Sequence, residues 1–277
     1  MQRFSLTILL FTLLALGGCQ RQPTGFRLEL HEATTPENKA IRSLLQEADL
    51  SPVLVGLNAA FKLPTTIPVV FREGTEQAVY ENGEIIICYD FLSHLDQALK
   101  DDFPDPKVRS EILLGEAHFV LYHEVGHALV QTLDIPVVGQ EEDAVDGLAT
   151  IIAVSVLKRP ELAIGAAVAL DALEQSDEEF HQEDYWDTHS LDAQRYYNIV
   201  CWVHGGAPEM CEDLVAQLVP EDWFKTRAGD CPEEFERLRR NWARLLEPHF
   251  KPGIRLLARA KRKAREREKA RADKGNR

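Results

Sequence analysis

The chain has 277 residues, 45% of them hydrophobic and 27% charged, so it can bury one sizeable core as a single domain with extensions. Its formal net charge of −14 excludes a protein built to cover nucleic-acid phosphates, and we expect no nucleic-acid partner. The charge is uneven: residues 251–277 carry 12 Lys and Arg against 3 Asp and Glu, which leaves −23 on the preceding body.

The chain opens MQRFSLTILLFTLLALGGCQ, with one early arginine, an apolar run from Leu6 to Leu16 and two glycines before Cys19. So short an apolar stretch, ended by small residues, reads as an export signal rather than a spanning helix. The LGGC ending resembles the bacterial lipoprotein box, in which the cysteine is lipidated and becomes the mature N-terminus. That resemblance implies a signal peptide over 1–19, a membrane anchor at lipidated Cys19, a tether over 20–35 and a place on the periplasmic side of the cell envelope. Gln20 after the cysteine favours the outer membrane. The alternative is an ordinary cleaved signal with an incidental cysteine.

PENKAIRSLLQEA from Pro36 has a proline start and helical apolar spacing, so it predicts a surface helix. IPVVFRE (67–73) predicts a strand, and AVYENGEIIICYDF a β-hairpin turning at Asn82-Gly83. A helix follows over DFLSHLDQAL, then a loop over 101–107. From Val108 to about Asp134 the pattern predicts one long helix, ended at Ile135-Pro136. GQEEDAVDGLATIIAVSVL (139–157) predicts a second helix with an acidic first turn, which suits the helix macrodipole. A third covers Glu161 to about Leu173, and 177–187 forms an acidic, aromatic loop. Further helices are expected over 190–205, near 208–218 and near 232–246. Strands first and helices after make an α+β pattern: a small N-terminal β-sheet with a hairpin, then a mostly helical body.

Export permits disulfides, and four cysteines remain beyond Cys19. Cys88 lies in the apolar run EIIICYDF and is expected to be buried and reduced. Cys201, Cys211 and Cys231 are close enough in sequence for one bridge among them, and sequence does not choose the pair. There is no CxxC pair.

Within the long helix stands FVLYHEVGHALV (119–130). Residues four apart on a helix share a face, so His123 and His127 can offer ring nitrogens to one metal, with Glu124 beside them. HExxH on a helix supplies two zinc ligands and a general base. A core helix with two idle histidines would carry the same letters. A catalytic zinc needs a third protein ligand, and the HExxHxxGxxH pattern is absent, since Val130 and Leu133 replace its glycine and third histidine. The short loop IPVVG can fold the second helix back, so that its acids face the histidines. Glu142 is the favoured ligand, with Asp146, Glu141 and Asp143 as competitors.

The Glu142–Asp146 spacing is similar to that of gluzincin peptidases. There the glutamate binds zinc and the aspartate accepts a hydrogen bond from a ligand histidine. HEVGHALV, IPVVGQEEDAVD and DTHSLDAQRYYNIVCWVHG together resemble a bacterial family of uncharacterised zinc metallopeptidases, over most of residues 60–240. The resemblance implies a zincin-like domain, here 36–250, Zn2+ as cofactor and a peptide or protein substrate. In zincins a later His, Tyr or Arg stabilises the developing oxyanion; His189 is the favoured candidate, with Arg195, Tyr196 and Tyr197 behind it. The basic stretch 251–277 is expected to be a frayed helix or disordered tail. The competing readings of the whole are a non-catalytic envelope lipoprotein that uses the scaffold for binding, and a metal hydrolase of cell-wall crosslinks.

Overall fold

The computed structural model describes residues 24–75, 77–176 and 191–252. The expected signal segment, Cys19, the acidic stretch with His189, and residues 253–277 of the basic stretch lie outside the described residues. Among those described, no helix is long and apolar enough to cross a membrane.

The sheet has four strands in the order β1-β2-β4-β3: β1 (Gly25–Leu30), β2 (Thr66–Arg72), β3 (Ala78–Glu81) and β4 (Glu84–Cys88). The first three in that order run parallel, and β3 closes the far edge antiparallel to β4. The β3–β4 turn is made by Asn82 and Gly83, both at positive φ (52° and 82°). This is the conformation that a tight hairpin with right-handed strand twist demands, and Asn-Gly supplies it at little steric cost.

Strand β1 corrects the expected tether over 20–35. GFRLEL is paired along its whole length with β2, from Gly25 opposite Thr66 to Leu30 opposite Phe71. Its outer edge is covered by an amide from the next helix layer. Asn58 accepts from the Phe26 N–H (2.7 Å) and donates to the Phe26 carbonyl (2.8 Å), standing in for a further strand.

The helices are α1 (Pro36–Ala48), α2 (Ser51–Ala60), α3 (Tyr89–Ala98), α4 (Pro106–Leu133), α5 (Glu141–Ile151), α6 (Pro160–Ser176), α7 (Asp192–Gly206), α8 (Pro208–Leu218), α9 (Trp223–Thr226) and α10 (Cys231–Leu246). Helix α2 is an addition to the sequence expectation, and the expected helix over 139–157 is two pieces: α5 gives way to a π-helical turn, Ile152–Leu157. The α+β, zincin-like arrangement expected from the sequence is the one observed, with a small mixed sheet and a mostly helical body around α4.

Helix α4 is the axis of the molecule. Its middle is buried on nearly every side, from Gly115 through Val130, because β3, β4, α3, α5 and α6 all pack against it. Its crossing with α6 is made at two glycines: a Cβ at Gly115 would lie 2.8 Å from the Gly165 Cα, so neither position admits a side chain without displacement. Asp105 caps its start through Lys107 N–H (2.9 Å), and Asp134 ends it at φ 52°, one residue before the expected break at Ile135-Pro136.

A disulfide joins Cys201 on α7 to Cys231 at the start of α10, while Cys88 and Cys211 are buried and not disulfide-bonded. Cys88 is thus buried and reduced, as its apolar context suggests. The bridge closes a 30-residue separation, which restricts the unfolded chain. Two of these four thiols should therefore resist alkylation in urea until a reductant is added. Replacing Cys201 and Cys231 together by alanine should cost about 2–4 kcal/mol in urea unfolding. Four reactive thiols without reductant would contradict the bridge.

Candidate metal centre

Two helices supply the centre: α4 brings the histidines and α5 the acids. They can meet because the residue between Glu124 and His127 that faces α5 is a glycine. A Cβ on Gly126 would lie 2.7 Å from the Val145 Cβ, so the bare backbone of α4 seats Val145 directly. Val145 is flanked along α5 by Glu142 one turn before and Asp146 one residue after, and both reach the imidazoles. Helix α5 is further held by α10, whose Trp242 indole donates to the Ala144 carbonyl (3.0 Å).

The geometry sorts the four acids that sequence left in competition. Glu142 Oε2 lies 3.0 Å from His123 Nε2 and 3.2 Å from His127 Nε2, and the two Nε2 atoms are 3.1 Å apart. These are the three ligand atoms that could hold one metal ion. Asp146 instead accepts from His123 Nδ1 at 2.7 Å, and Glu141 accepts from His127 Nδ1 at 2.7 Å. Ionised carboxylates only accept, so both Nδ1 atoms carry their protons and both Nε2 atoms turn toward Glu142. Asp143 is not one of the three converging donors.

The donor set fits a metal. Three atoms rich in lone pairs sit within 3.2 Å of one another, and only a cation among them, either extra protons or a metal, relieves their repulsion. Two imidazoles and one carboxylate match the ligand types and number of a catalytic zinc site. Electrostatics agree with this. Burial opposes charge on His123, but its hydrogen bonds to Asp146 and Glu142 outweigh burial and lift it to about 9. His127 is opposed by burial in the same way and is raised by Glu142 and Glu141. The pocket selects positive charge, and proton and metal compete for the same Nε2 atoms.

Asp146 is the link to the rest of the body. It is 2% exposed and accepts from Arg195 on α7 through Nε (2.8 Å) and Nη2 (3.2 Å) as well as from His123. Burial works to raise its carboxyl, yet His123 and Arg195 bring it down to about 2. Arg195, a candidate for oxyanion stabilisation on sequence grounds, is thus engaged in fixing the carboxylate that orients His123. Tyr196 is buried with its hydroxyl on the Leu218 carbonyl, and Tyr197 packs edge-on against it; neither lines the cavities at the centre. His189 lies outside the described residues.

Two cavities meet at Glu124 and His123. One, of about 540 Å³, runs over His127 and Glu142 and is walled by residues 78–80 of the edge strand β3. The other, of about 640 Å³, lies among α3, α4, α6, α7 and the segment before β3, and includes Glu116 and Arg195. Glu124 itself is 5% exposed and lines both. Sequence spacing did not single out Glu116 or Gly126. Both had a signal: Glu116 is two turns before His123 on the same face, and a glycine inside a long helix marks a close approach.

Two outcomes follow from this packing. Gly126→Ala must displace Val145, and metal affinity measured by chelator competition should fall at least tenfold while the far-UV spectrum is kept. Asp146→Asn should cost about 10–100-fold in the same assay. The sign of the pH dependence is fixed by the raised His123. In metal-free protein its contribution to stability is complete below pH 6.5 and is lost as pH rises through about 9. Apparent metal affinity should correspondingly climb with pH, by up to about one decade per unit, and level off near 9. An affinity flat between pH 6.5 and 9 would contradict the assignment of His123.

No curated protein and no solved structure gives a match to the chain. A family model does, over residues 30–246, and by that match the chain belongs to the family whose description reads "Putative metallopeptidase".

Proposed function

We propose that the protein is a zinc-dependent peptidase of the bacterial cell envelope. The observation that carries the reading is the convergence of His123 Nε2, His127 Nε2 and Glu142 Oε2 beside Glu124, at the junction of two cavities. Family membership supports a metallopeptidase, and the two-nitrogen, one-oxygen donor set supports zinc. Zinc held there supplies Lewis-acid chemistry, acidifying water and polarising a carbonyl.

The chain's own residues do the rest. Glu124 accepts a proton from the attacking water and returns it to the leaving amine nitrogen, so its carboxylate is the base first and the acid second. Asp146 and Glu141 fix the tautomers and ring planes of His123 and His127, and Arg195 fixes Asp146. Strand β3 offers the edge along which an extended peptide can add by backbone hydrogen bonds, across the mouth of the smaller cavity. His189 is assigned the hydrogen bond to the carbonyl oxygen as negative charge develops on it.

The cellular setting rests on the opening segment and the disulfide. A bridge between Cys201 and Cys231 suits an oxidising compartment, and the LGGC segment supplies the export signal and a lipid anchor at Cys19. Cys19→Ala should move the protein from the membrane fraction to the soluble periplasmic fraction.

The decisive experiment is digestion of a broad peptide library by purified protein. We expect cleavage that a chelator abolishes and zinc restores. Glu124→Gln should lower kcat by about 10³-fold or more with zinc content unchanged. His189→Ala should lower kcat by about 10²-fold with little change in KM. Cleavage indifferent to both chelation and Glu124→Gln would overturn the mechanism. No cleavage of any peptide, with zinc bound, would favour a binding role, and release of fragments from peptidoglycan would move the substrate to cell-wall crosslinks.

A further inference from the structure

The larger cavity holds a buried acid that the proposed chemistry does not use. Glu116 is 7% exposed, and its Oε2 is shielded from solvent without a hydrogen-bond partner among the described residues. Burial is the main influence on its carboxyl and pushes it up to about 7. A carboxyl group in such a place is costly whether ionised or not, since even the protonated form leaves polar atoms unsatisfied. A leucine would fill the same position without that cost. The group is explained if something entering the cavity completes it.

What could enter is constrained by the walls. Phe119 and Val120 on α4 and Leu170 and Leu173 on α6 make an apolar wall, with Glu116 beside it, in a cavity that is otherwise lined largely by polar groups. The other charges there already have partners. Asp90 accepts from the Asn38 amide (2.9 Å) and the Gly74 N–H (2.8 Å). The Arg195 guanidinium is paired with Asp146 and reaches Asp192 at 3.5 Å. An apolar wall beside a carboxyl whose Oε2 has no hydrogen-bond partner among the described residues suits a ligand with a hydrocarbon stem and a cationic head. An α-ammonium lacks the stem, and an apolar side chain leaves the carboxyl unmatched. Glu116 lies seven residues before His123, about 10 Å along the helix axis, a separation that a long side chain spans and a short one does not.

We propose that this cavity is the specificity pocket for a lysine or arginine side chain next to the scissile bond, with the Glu116 carboxylate receiving its cationic head. The identity of the ligand as part of a peptide rests on the peptidase reading above; the recognition of an alkyl cation does not.

The test has two arms. In the first, n-pentylamine hydrochloride and n-pentanol are titrated into metal-free protein at pH 8, followed by NMR shifts. The alkylammonium should bind at least tenfold more tightly than the alcohol, and Glu116→Gln should abolish the difference. In the second, zinc-loaded protein digests a library with lysine, arginine or norleucine beside the scissile bond. Wild type should favour the basic residues at least tenfold in kcat/KM, and Glu116→Met should reverse the preference toward norleucine. The wild-type comparison of amine with alcohol stands even if a variant folds poorly. Equal binding of amine and alcohol to wild type, or library cleavage without preference for a basic residue, would overturn the proposal. Selective amine binding lost in Glu116→Gln, with no peptide cleaved at all, would uphold the pocket and reject the peptidase.

Discussion

The centre depends on one close approach, that of Val145 on α5 to the backbone of α4 at Gly126. Two ordinary helices pack with their axes 8–10 Å apart, separated by their side chains. A glycine at the contact removes one of those layers, so the first turns of α5 press against the face that carries His123 and His127. From that contact the rest is set by helix geometry. Glu142 precedes Val145 by three residues and Asp146 follows it by one, so the α5 face that meets α4 presents one acid to the Nε2 atoms and another to an Nδ1 atom. Glu141, on the neighbouring rim, takes the other Nδ1.

The electrostatics explain how such a concentration of acids is tolerated. Glu141, Glu142 and Asp143 occupy the first turn of α5, where the helix macrodipole favours negative charge. Asp146 lies deeper and is buried, and it is balanced by two donors, His123 and Arg195, rather than by water. The arrangement is a chain of charge-assisted hydrogen bonds from α7 through α5 to α4. Each link fixes the next, and the disulfide from α7 to α10 anchors its outer end. Among the described residues, His123, His127 and Glu142 are the group whose ligand atoms lie close enough to hold one cation.

The position of the centre between two cavities gives it direction. The smaller cavity is bounded by β3, the antiparallel edge strand of the sheet. The larger is a recess among four helices with the Glu116 carboxyl in its lining. Glu124 borders both, which is where the proposed chemistry would place the scissile bond.

The sequence by itself determined the local features. The HExxH helix, the Asn82-Gly83 hairpin, the acidic start of α5 and the buried, reduced Cys88 all follow from periodicity, turn stereochemistry and composition within a few residues. What stayed illegible depends on partners far away in the chain. GFRLEL is too short to declare itself a strand, and becomes one by parallel pairing with β2 some forty residues later. SPVLVGLNAA has apolar residues without a clear helical stripe, and α2 is fixed by packing on β1. The choice among Glu141, Glu142, Asp143 and Asp146 is a matter of which face of α5 meets α4, and one residue turns that face by about 100°. Arg195 finds Asp146 across 49 residues, and Cys201 takes Cys231 rather than Cys211, because α7 and α10 lie side by side. Spacing along one helix is encoded in the sequence that forms it; which side of that helix meets another is decided only when the core closes.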